Sequence, residues 1–185
     1  MKTSHANNYL ESVYKLFAYY KSLGDRTFNQ ITDEMIHFRP HPEANNIAII
    51  VKHLHGNMLS RWMDFLNSDG EKDFRKRDEE FTDSIENKEQ MLQLWEEGWN
   101  CVLDAVRPLK EPDLDRIAYI RNEGHSVIEA INRQLTHYAY HVGQIVYIGT
   151  LLKGEEWQSL TIPKGKSKDF NQRKFSEEKR RKNFL

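Results

Sequence analysis

The stretch LTHYAYHVGQIV, residues 135–146, sets His137 and His141 four residues apart. On a helix that spacing stacks two side chains on one face, one turn apart, so both imidazoles can reach the same point. A helix interior accepts an imidazole only when its ring nitrogens find a hydrogen-bond partner or a metal. Two chemistries follow. The histidines are either neutral core residues satisfied by carbonyls or by Tyr138, Tyr140 and Tyr147, or two ligands of a divalent-metal site. Zinc metalloproteases share the spacing but carry a glutamate general base directly after the first histidine. Tyr138 stands in that place here, which excludes that class.

A third ligand has to come from another element. His53 and His55 lie in an apolar helical stretch, His125 at a helix entry, and His5, His37 and His41 in expected loops. On a helical wheel of the stretch around residues 47–66, His55 lies nearer the apolar centroid. His53 instead aligns with Asn57, Ser60 and Asp64 as a polar stripe. Burial favours His55 and a polar cavity wall favours His53, so these residues alone leave both open. Asn57 and Arg61 follow His53 by one and two turns, and Gln144 follows His141 by one. They are candidates for orienting ligands or binding an anionic substrate group, or for bonding the charged DGEK connection or a neighbouring helix.

The elements that must position these residues are helical. Leu10, Val13, Tyr14, Phe17 and Tyr20 recur at helical steps, in a pattern that fades around residues 24–31. HFRPHPEANN breaks the chain and offers an N-cap, so a second helix starts near Asn46 and continues to about Leu66. The charged run from Asp69 to Glu80 reads as a solvated connection. A third helix spans about 87–109, closed by Pro108 and Pro112. LDRIAYIRNEGHS is consistent with a short strand, an extended hairpin or an irregular connection. Ser126 and Glu129 form a capping box that starts the last long helix, which ends near Lys153 and Gly154. On that helix the wheel puts the core face around Leu135, with Ile128, Ile131, Ala139, Val142 and Val146. His137, His141 and Gln144 fall on the opposite side, which is itself lined by Ala130, Ile148 and Leu151. Four long helices with little strand point to an all-α four-helix bundle, with a short extended segment before the last long helix and a basic C-terminal tail.

Length and composition narrow the function classes. A chain of 185 residues suits one core, here taken as a domain over 1–163 followed by a tail over 164–185. The tail holds nine Lys/Arg against three Asp/Glu while the whole chain has net charge −1, so the body is acidic. The tail is read as solvated rather than as a nucleic-acid-binding arm. Residues 134–152 lack formal charge, but two His, two Gln and two Thr and the want of a partner span argue against a membrane helix. The single cysteine, Cys101, excludes an intrachain disulfide, and the N-terminal sequence lacks a signal-peptide core, so a cytoplasmic location is expected. Cys101 has no basic neighbour at i−4 or i+3 and is not expected to act as a nucleophile. Trp62, Trp95 and Trp99 are read as core or groove aromatics rather than a substrate cage.

The segments NNIAIIVKHLHGNMLSRWMDFLNSDGEK and NRQLTHYAYHVGQIVYI resemble the DinB/YfiT-like superfamily of four-helix metalloenzymes, over roughly residues 5–170. That resemblance implies one ligand on the second helix, falling on His53, and a pair on the last long helix, falling on His137 and His141. It implies a divalent ion, with zinc or nickel favoured by imidazole ligands, and open coordination positions for water or substrate. The implied activity is activation of a thiol or water, in a thiol S-transferase-like or hydrolase-like reaction on a small molecule. The alternative is a non-catalytic stress-response or ligand-binding member with a structural metal. Similar proteins also imply a homodimer.

Overall fold

The computed structural model describes residues 4–180. The molecule is predominantly helical, with four long helices around one core and a small two-stranded sheet. Helix α1 (His5–Phe28) begins at Ser4, whose side chain accepts from the Asn7 backbone N–H. It continues through Gly24, past the point where the apolar pattern fades. The indole of Trp95 explains this, because a Cβ at residue 24 would lie 2.3 Å from its Cζ2 atom. Glycine here is a packing requirement rather than a helix end. Gly24→Ala is therefore expected to destabilise the protein by about 1–3 kcal/mol through overpacking against a rigid ring. Urea unfolding midpoints measure that loss.

Helix α2 (Ile47–Trp62) starts where Asn46 caps it, accepting from the Ile49 N–H at 2.8 Å. It is buried along most of its length, from Ile47 through Val51, Leu54 and Met58 to Trp62. Helix α3 (Lys88–Val106) is capped by Asn87 and packs chiefly on α2, burying Met91, Trp95, Trp99 and Val102. It ends three residues before the expected Leu109, ahead of Pro108, which cannot continue the helical hydrogen bonding. Strands β1 (Ile117–Ile120) and β2 (Glu123–Ser126) pair antiparallel. Their two-residue turn, Arg121 and Asn122, has φ of 55° and 62°, as a tight hairpin requires. Of the alternatives open in the sequence, the extended hairpin is the one formed.

Helix α4 (Val127–Lys153) opens on the Ser126/Glu129 capping box, stops at Gly154 and packs chiefly on α1. Its buried stripe runs through Val127, Ile131, Gln134, Tyr138, Val142 and Ile145, while Leu135, Ile128 and Val146 are half-buried. The core face is thus turned by roughly 60° from the expected centre at Leu135. Tyr138 causes the difference. It is fully buried because its hydroxyl accepts from Trp62 Nε1 at 2.9 Å and donates to Asn57 Oδ1 at 3.1 Å. A wheel counting aliphatic residues misses a buried hydroxyl that is fully satisfied. In consequence His137 and His141 border the core instead of opposing it.

A fifth, exposed helix, α5 (Ser167–Phe175), lies in the basic tail. Among the described residues no helix is long and apolar enough to cross a membrane.

Candidate metal centre

Helix α2 supplies His53 and α4 supplies His137 and His141, and one ring nitrogen from each lies within 4.8 Å of the others. His53 is buried and the other two are half-buried. The Nε2 atoms of His53 and His137 are 3.3 Å apart. Two nitrogens sharing one ion at about 2.0–2.1 Å with tetrahedral angles would stand roughly 3.4 Å apart. The rings meet edge to face, at centroid distances of 5.3 Å for His53 with His137, 4.9 Å for His53 with His141 and 4.7 Å for His137 with His141.

Hydrogen bonds fix which nitrogen is free. His53 Nδ1 lies 2.9 Å from Glu80 Oε2, and His141 Nδ1 lies 2.8 Å from Gln144 Oε1. Both acceptors are oxygens, so each Nδ1 carries a proton, and each Nε2 is the nitrogen left outside these bonds. Burial, reinforced by the neighbouring His141 and His53 and by Arg75 and Arg61, pushes His137 down to about 3. Burial pushes His141 down to about 4, against the Gln144 bond. Both are neutral near pH 7, which is the form that binds a metal. Three imidazoles from two helices form a nitrogen donor set that could hold a divalent metal ion.

His55 does not join the cluster. Its Nε2 faces Glu97 Oε2 on α3 at 3.0 Å, so of the two alternatives on α2 the structure brings His53 to the pair on α4. The centroid of apolar residues on α2 points at α3, whereas the cluster forms where α2 meets α4 and the connection that follows α2. Of the remaining candidates, Gln144 touches a cluster histidine. Asn57 accepts from Tyr138 inside the core, and Arg61 donates to Gly70 O, to Ser60 Oγ at 3.1 Å and to Glu71 Oε2 at 3.2 Å. Arg61 therefore ties down the charged connection, and Asn57 joins an interhelix network. Trp62, Trp95 and Trp99 are core residues. Burial, with Asp104 and Glu97 nearby, pushes the Cys101 thiol up to about 11, so it is not a thiolate near neutral pH.

The connection from Asp69 to Glu80 is not simply solvated. Glu80 is 6 % exposed and the Arg75 side chain 2 %. Arg75 Nε and Nη2 donate to the two Glu80 oxygens at 2.8 and 3.0 Å. Burial alone would push the Glu80 carboxyl up; bonds from His53 and Arg75, with the arginine charge, outweigh it and hold the group below its ordinary value. The next residue, Phe81, stacks on the His53 ring at 5.0 Å and 28°. Glu80, Arg75 and Phe81 are the site residues that sequence reasoning missed. A glycine in the middle of buried α2, three residues after His53, was the available signal of a close approach.

The sequence matches, over residues 4–166, a family described as a protein of unknown function, DUF1572. A comparison with curated proteins finds no match. The match spans all four long helices and every histidine of the cluster, and the chain belongs to the DUF1572 family.

Proposed function

We propose that this protein is a metal-dependent enzyme of the DinB/YfiT-like four-helix-bundle type, in which His53, His137 and His141 hold one divalent ion, zinc or nickel. The observation that carries the reading is the convergence of three imidazoles from two helices, two of them with the distal nitrogen already committed to an acceptor. When bound, the ion supplies Lewis-acid acidification of a thiol or a water, so that a nucleophile exists near neutral pH. Three protein ligands are the number used by catalytic rather than structural zinc sites. His53 and His141 bind through Nε2 and are oriented by Glu80 and Gln144. Phe81 and Tyr140, ring neighbours of His53 and His141, wall the cluster and reduce the access of bulk water. Tyr140 is 62 % exposed, which places it at the outer edge where a substrate would arrive.

The substrate in this reading is a small electrophile attacked by a low-molecular-weight thiol, or a small hydrolysable molecule, in the cytoplasm. The assembly is a homodimer. Titrating the cobalt(II)-loaded protein with low-molecular-weight thiols tests thiol activation. An intense thiolate-to-cobalt charge-transfer band in the near ultraviolet, absent from His141→Ala, is the expected result. No such band with any thiol, together with no hydrolysis of activated esters by the zinc-loaded or nickel-loaded protein, would contradict the reading.

A further inference from the structure

We infer that Glu80 is a positioning residue, clamped by Arg75 and seated against Gly56, whose carboxylate locks His53 in the Nδ1–H tautomer and aims its Nε2 at His137 and His141. The inference deepens the metal-centre reading and rests on it for its consequence, not for its geometry.

Each part of the device is visible. Glu80 Oε2 accepts from His53 Nδ1 at 2.9 Å and from Arg75 Nη2 at 3.0 Å, and Oε1 accepts from Arg75 Nε at 2.8 Å. The two-point grip of a planar guanidinium leaves the carboxylate little rotational freedom. The other side of the seat is helix α2 itself. A Cβ at residue 56 would lie 2.3 Å from Glu80 Oε1 and 2.9 Å from Cδ, so the carboxylate occupies space that only glycine leaves open. Backbone on both sides of Glu80 is fastened to the same helix, because Lys52 Nζ donates to Glu79 O at 2.6 Å and to Thr82 O at 3.1 Å. Lys52 immediately precedes His53, so the residue that binds the connection and the residue that receives the carboxylate are neighbours. Phe81 stacking on His53 fixes the plane in which the ring must meet Glu80. A carboxylate that accepts the far N–H of a metal-binding imidazole sets its tautomer and raises its basicity, and losing such a partner typically weakens metal binding 10–100-fold.

The test uses the full chain with two variants and two readouts. Gly56→Ala pushes the carboxylate off its seat while leaving the Glu80 and Arg75 side chains in the protein. Glu80→Ala removes the carboxylate but leaves Arg75 unpaired, so Gly56→Ala decides if that variant does not fold. Nitrogen-15 NMR of the imidazoles in metal-free protein should report His53 as Nδ1–H in the wild type and as a tautomer mixture in Gly56→Ala. Competition with a chromophoric chelator should show zinc affinity falling 10–100-fold in Gly56→Ala, with helix content retained and a cooperative metal-free melt. An unchanged His53 tautomer, or unchanged zinc affinity, in that variant would overturn the positioning role. A wild type that binds no zinc would instead overturn the metal-centre reading, and the tautomer readout would still decide the role of Glu80.

Discussion

Zinc(II) supplied at a free concentration one hundred times its Kd is expected to stabilise the wild-type protein by about 2.7 kcal/mol, by mass action on the folded state. For a chain of this size that corresponds to a rise in Tm of roughly 5–10 °C. The gain should vanish on adding chelator and be absent from His53→Ala, His137→Ala and His141→Ala. The geometry gives the reason: one nitrogen of each ring converges within 4.8 Å, so no two histidines complete the site without the third. The metal-free variants should still fold, because the core is carried by residues such as Phe17, Trp95, Trp99, Tyr138 and Val142 rather than by imidazoles. Calorimetric melts with and without zinc measure the effect. An equal rise in Tm in all three variants would place the ion elsewhere.

Glu80→Ala carries the second large effect, on stability in addition to binding. It leaves the guanidinium of Arg75, whose side chain is 2 % exposed, without its bidentate partner. Removing one member of a buried ion pair typically costs about 3–5 kcal/mol, most of it the penalty of the unpaired charge. Arg75→Met combined with Glu80→Ala should therefore be less destabilised than Glu80→Ala alone, since no orphan charge remains. Denaturant unfolding of the wild type, both single variants and the double variant gives the coupling. Simple additivity of the two single losses would show that the pair does not act as a unit.

How far the sequence discloses this molecule depends on whether the signal is local. The histidine pair of α4 and the ends of its helix are local: the spacing of His137 and His141, the Ser126/Glu129 box and the Lys153–Gly154 stop all appear where the residues predict. The face of α4 is less so, because Tyr138 becomes a core residue through partners on α2, 76 and 81 positions away. The choice of His53 over His55 is non-local as well. Both sit on one buried helix, and what separates them is the neighbour each meets, α4 and the charged connection for one and Glu97 of α3 for the other. Within that connection Arg75 and Glu80 are indistinguishable by type from Asp73, Lys76, Arg77, Asp78 and Glu79. Only the fold selects them, by bringing residue 80 against Gly56. Charge runs report solvation on average and say nothing of the one member turned inward.

The most direct measurement of the central claim is elemental analysis by plasma mass spectrometry of untagged protein, purified without chelator, beside the His137→Ala variant. One divalent ion per chain in the wild type and none in the variant is the expected result. Wild-type protein that holds no divalent ion even after reconstitution, or a variant that retains a full equivalent, would contradict the claim.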